Sequence, residues 1–97
     1  MPTFIILASW TQDGIKNVKE SPARLDAAKK VFKAFGGELK EFYMVMGQYD
    51  MVVVGEAPNA EAISKIALAI GQSGAVRTET LRAFTEDEYR KVVAELP

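Results

Sequence analysis

The sequence predicts an α+β fold: a ferredoxin-like βαββαβ sandwich with a four-stranded antiparallel sheet, helices on one face and one further helix at the C-terminus. Three observations predict it. Strand-type apolar runs at residues 4–10, 39–46, 51–57 and 76–84 alternate with stretches of helical period in the order β-α-β-β-α-β. Gly47 and Gln48 separate the second and third runs as a tight turn does, so those strands form a hairpin. The other two connections each carry a helix, and right-handed crossovers set both helices on one side of the sheet.

Each element has its own reason. Phe4, Ile6, Ala8 and Trp10 alternate with Ile5, Leu7 and Ser9, so the first strand is apolar on both faces and belongs at the centre. Residues 11–20 read as a polar loop, longer than the about 2–6 residues usual between strand and helix. Ser21-Pro22 starts the first helix, with Ser as cap and Pro at the first turn, where its missing N–H costs nothing. Leu25, Ala28, Phe32 and Phe35 form its apolar stripe, Lys29, Lys30 and Lys33 its wet side, and Gly36-Gly37 its stop. In the second strand Leu39, Tyr43 and Val45 share one side, and Phe42, Met44 and Met46 the other. In the third, Val52 and Val54 oppose Met51 and Val53. Pro58-Asn59 ends that strand, and Asn59 caps a helix whose stripe is Ile63, Ile66, Ala67 and Ile70. Gly71 and Gly74 close it. After the fourth strand, Thr85 and Glu88 form a capping box that opens a last helix with Tyr89, Val92, Val93 and Leu96 facing inward.

The 97 residues hold no repeat of about 20–50 residues and no low-complexity segment. The chain therefore reads as one domain over 1–97, with a core at 3–84 and the C-terminal helix at 85–97. The net charge of −1 gives no global field toward nucleic acid or an anionic membrane. Residues 1–40 hold seven Lys/Arg against four Asp/Glu, and residues 41–97 five against nine. That asymmetry fits a solvated basic helix followed by acidic ones, and it can also align protomers or steer a ligand. There is no cysteine and no histidine, which removes thiol nucleophiles, Ser-His-Asp mechanisms and the commonest metal ligands. Scattered carboxylates without a calcium-loop pattern leave no metal site, and no cofactor fingerprint stands out. No leader pattern is visible, and every apolar run falls short of the about 18 residues of a membrane span, so a cytoplasmic location is expected.

Several short motifs occur in a fixed order. They are Gly14-Ile15-Lys16-Asn17, Ser21-Pro22-x-Arg24, Gly36-Gly37, Phe42-Tyr43, Gly47-x-Tyr49-Asp50, and Val76-Arg77-Thr78-x-Thr80-Leu81-Arg82-Ala83-Phe84. Together, over residues 3–84, they resemble the GYD-domain family. The resemblance implies a ferredoxin-like fold of the dimeric α/β-barrel kind. It implies no established reaction and no assigned catalytic residue.

Nine residues are candidates for ligand contact. Gly14 and Lys16 belong to a loop that either cradles an anion on backbone amides or only turns the chain onto the sheet. Arg24, a cation in a helix first turn, opposes the helix dipole and needs a partner: a strand-four carboxylate, Asp50 or a ligand. Arg77 and Arg82, on opposite faces of the fourth strand, can each receive a carboxylate or phosphate, or pair across strands. Trp10, Tyr43 and Tyr49 either line a pocket or anchor a core or interface. Asp50 either caps its own turn or serves as a buried base.

Helices on one side leave the other sheet face apolar, which predicts association with a second copy as an isologous homodimer or higher homo-oligomer. The alternative is a monomer whose last helix folds across that face. The leading functional expectation is a small binding or regulatory module with a small-molecule ligand. The alternatives are a cofactor-independent monooxygenase- or isomerase-like enzyme, by analogy of fold, and a purely structural assembly module.

Overall fold

The computed structural model describes residues 1–97. Strand β1 (Thr3–Trp10) leads through a short helix α1 (Gln12–Lys16) into α2 (Ser21–Ala34). Strands β2 (Glu38–Met44) and β3 (Met51–Glu56), helix α3 (Ala60–Gly71), strand β4 (Val76–Ala83) and helix α4 (Glu86–Ala94) follow. The sheet is four-stranded and antiparallel in the order β2-β3-β1-β4. This is the expected α+β ferredoxin-like sandwich, with β1 at the centre because its two faces are apolar.

Register decides what each face carries. Ile6 lies opposite Val53 and Thr80, and Leu7 opposite Val52 and Glu79. Phe4, Ile6 and Ala8 therefore face α2 and α3, while Ile5, Leu7 and Ser9 face away. The core gathers Phe4 and Ile6 from β1, Phe32 from α2, Ala57, and Ile63 and Ile66 from α3. Phe32 is fully buried against Gly55, where an added Cβ would lie 2.4 Å from the ring. Truncating Phe32 to Ala would remove about 3–5 kcal/mol of stability.

Several local expectations are corrected. Residues 11–20 are not an open loop: Thr11 Oγ1 accepts from the Gly14 amide at 3.0 Å and caps α1, and a 3₁₀ turn (Val18–Glu20) runs straight into α2. Ser21 is therefore a helical residue (φ −57°, ψ −41°) rather than a cap. The β2–β3 connection is six residues, 45–50; in it the Asp50 carbonyl accepts the Val45 amide at 2.8 Å, while the Asp50 amide donates to the Ala8 carbonyl of β1 at 2.9 Å. A bulge between Leu39 and Glu41 puts Leu39 on the side of Phe42, and Tyr43 on the side of Val52. Phe35, at the end of α2, is exposed.

A further correction concerns α4. Its capping box forms as expected, with Thr85 and Glu88 exchanging hydrogen bonds of 2.9 and 3.2 Å. Its apolar stripe nevertheless stays in solvent: Tyr89 is 59% exposed and Leu96 64%. The helix does not fold across the open sheet face. The only ion pair joining it to the sheet is Arg82 to Glu88, at 3.6 Å.

Candidate functional site

The two long helices and the sheet do not close on each other at one end. There β1 ends, α2 begins, α3 ends and β4 begins. A cavity of about 170 Å³ opens there. Ile6, Ala8, Met51 and Val53 line it from the sheet, Leu25, Ala28 and Val31 from α2, and Ile70 from α3. The polar groups that reach it are Trp10, Ser21, Arg24, Ser73 and Thr78. A largely apolar cavity with a few convergent polar groups is the usual form of a small-molecule site.

The short segment after β1 builds one side of this end. The Thr11 amide donates to the Ala75 carbonyl at 3.0 Å, and the Thr11 hydroxyl donates to the Gly74 carbonyl at 2.6 Å. Gly14 is buried against the same turn: a Cβ there would sit 1.9 Å from the Ala75 oxygen. Gly14 is thus a close-packing glycine, and its amide is already taken by Thr11. Its place fits the loop's other expected role, turning the chain onto the sheet. Lys16 is exposed at the end of α1 and lies outside the cavity.

Of the nine candidates, Trp10 and Arg24 are the two that line the cavity. Arg24 pairs with neither Asp50 nor β4. Its guanidinium lies 3.6 Å from Glu20 and donates to the Asn17 carbonyl at 3.4 Å, because the 3₁₀ turn before α2 brings those groups alongside. Asp50 does not cap its own turn. Its carboxylate accepts the Trp10 amide at 3.0 Å, which clamps the β2–β3 connection onto the end of β1.

The remaining four are elsewhere. Tyr43 stands exposed on the open sheet face and donates to Glu41 at 2.9 Å. Tyr49 donates to Glu79 of β4 at 2.7 Å. In both, the hydrogen bond to the carboxylate holds the phenol above its usual pKa. Arg77 faces away from the helices, opposite Ser9. Arg82 is occupied: it donates to the Thr3 and Ala83 carbonyls, pairs with Glu88 and lies 4.7 Å over the Phe84 ring.

Ser21, Ser73 and Thr78 line the cavity but are not among the nine candidates for ligand contact. The Ser73 hydroxyl donates to the Ile70 carbonyl at 3.1 Å and accepts from the Ala75 amide at 3.2 Å, which shapes the turn after α3. A serine between two glycines, Gly71 and Gly74, was the available signal.

Fold and cavity together define a small α+β domain with a ferredoxin-like sheet and an apolar cavity between that sheet and its two long helices. The chain belongs to the GYD-domain family, whose model, described as GYD domain, matches residues 4–93. It is 36% identical over 85 residues to the glutamine synthetase and cystathionine beta-lyase binding protein of Thermus thermophilus, across 87% of this chain and 90% of that one. The feast or famine regulatory protein from M. tuberculosis, solved with L-methionine, is similar in fold, with a TM-score of 0.64 and 19% identity. That match covers 90% of this chain and 54% of the regulator, so this chain spans about half its length. A protein of known structure from Thermus thermophilus matches with a TM-score of 0.55 at 25% identity, over 88% of this chain and 95% of its own.

Proposed function

We propose that this chain is a self-associating regulatory module that binds a small molecule between its helices and its sheet. The observation that carries the reading is the apolar cavity with Trp10, Ser21 and Arg24 at its rim. Self-association is the companion part. Ile5, Leu7, Val52 and Val54 stand half-buried on the open face, with Leu81 and Tyr43 exposed beside them. A continuous apolar patch of this kind is what an isologous partner covers. A cytoplasmic location goes with the proposal. Native mass spectrometry on protein taken from its own host tests both parts. A dimer or larger species carrying a reproducible small mass is expected; a bare monomer would overturn the reading.

A second reading draws on the Thermus relative. At 36% identity over nearly the whole chain, a surface for docking on metabolic enzymes such as glutamine synthetase or cystathionine beta-lyase is a reasonable inheritance. Purified enzyme and purified module, mixed and followed by sedimentation velocity, separate the two readings. Comigration favours enzyme docking, and independent boundaries favour the small-molecule role alone.

A further inference from the structure

We infer that the cavity between α2, α3 and the sheet takes a small monocarboxylate with a compact apolar tail, its carboxylate held by Arg24. The inference rests on the reading of that cavity as a ligand site and adds the class of ligand.

Charge sets the head group. Arg24 is the one charged side chain in the lining, and no acidic residue lines the cavity. An anion is therefore favoured, and the ammonium of an amino acid finds no carboxylate there. Arg24 is also only lightly engaged. It donates to the Asn17 carbonyl over a long 3.4 Å, and its contact with Glu20 is 3.6 Å long and reaches an acid whose side chain is 67% exposed. A solvent-screened pair of that kind contributes little. A guanidinium has five N–H donors in a planar fork that fits a carboxylate with two parallel bonds. The Trp10 indole and the Ser21 hydroxyl, in the same lining, hydrogen-bond to nothing within the chain. A carboxylate here also offsets the conflict between Arg24 and the positive end of α2.

Volume sets the tail. A cavity of about 150 Å³ holds a benzene ring, and this one measures about 170 Å³. One ring or one short branched chain fills a space of that size.

Trp10 is the only tryptophan of the chain, so its fluorescence reports the cavity directly. Phenylacetate, its neutral counterpart 2-phenylethanol and L-phenylalanine are titrated into the wild type and Arg24→Gln. Expected is saturable binding of phenylacetate with a Trp10 response, weakened about ten- to a hundredfold by Arg24→Gln. Binding of 2-phenylethanol should not change between the two proteins. Equal affinity for acid and alcohol, or no effect of Arg24→Gln, overturns the carboxylate assignment and leaves the cavity reading standing. L-phenylalanine binding as tightly as phenylacetate overturns it too. Absence of any Trp10 response to all three probes removes the cavity reading along with the inference.

Discussion

Single residues at the open end of the sandwich do two kinds of work, and only one kind was legible in the sequence. The mismatch between Arg24 and the dipole of its helix was visible from its place after Ser21-Pro22, and it led to a residue that lines the cavity. Gly14 fills the chain-turning role its loop suggests, while the contact that Asp50 makes has no local signature. The partner of Asp50 is the Trp10 amide, 40 residues away in the chain, and the partner of Gly14 is the Ala75 carbonyl across the turn before β4. Contacts of such separation leave no local pattern in the sequence. The structural roles make definite demands. Gly14→Ala places a methyl group inside the Ala75 carbonyl, so α1 must shift or the turn must open. A loss of about 1–3 kcal/mol is expected, as for other overpacked sites, and chemical denaturation measures it. A wild-type midpoint would show that the segment after β1 is not seated on the turn as described.

Elements were legible where one face is buried and became obscure where a terminus meets a neighbour. The stripes Ile63, Ile66 and Phe32 gave α3 and α2 at once, since helical spacing of apolar side chains is what a single covering sheet requires. The bulge at Lys40 and the six-residue connection 45–50 were not legible, because strand register and the Asp50–Ala8 bond to β1 are set by partners distant in the chain. Helix α4 shows both sides of this. Its capping box was read directly, while the environment of its stripe depends on what lies beyond the monomer. The cap also makes α4 sensitive to acid. The Glu88 carboxylate accepts the Thr85 backbone amide, and with help from Arg82 this holds its pKa below the usual 4.5. A depressed folded-state pKa means the stabilisation is complete above that usual value and is lost as pH falls through the lower, folded one. Amide chemical shifts of residues 86–94 are expected to move toward random coil in that acidic window. Glu88→Gln keeps a capping partner without a titrating group, so its shifts should stay flat over the same range. An identical acid transition in both proteins would assign the fraying to another group.

At the scale of the whole molecule, the arrangement of apolar surface argues for a second copy. The chain spans 52 × 31 × 17 Å, a flattened and elongated shape for 97 residues. One sheet face is roofed by α2 and α3, and the other carries Ile5, Leu7, Val52, Val54 and Leu81 with no helix over them. The monomer thus buries only one of the two apolar faces that β1 was built to bury. A partner that supplies the missing layer relieves this, and the same face of a second copy is the simplest such layer. Polar features of that face fit the role. The Tyr49–Glu79 hydrogen bond ties the β2–β3 connection to the edge strand β4 and gives the patch a fixed rim. Val54 sits well inside the patch, opposite Ile5 on β1 and Glu41 on β2, and points away from the cavity. Val54→Lys adds a charge that a monomer leaves in water and a sheet-to-sheet dimer must desolvate, at a cost of several kcal/mol. Light scattering is expected to show a dimer for the wild type and a monomer for Val54→Lys. Val53→Lys points instead into the cavity and is expected to lower the melting temperature before it affects association. If Val54→Lys keeps the wild-type mass, the open face is not the interface, and the α4 stripe becomes the surface to test.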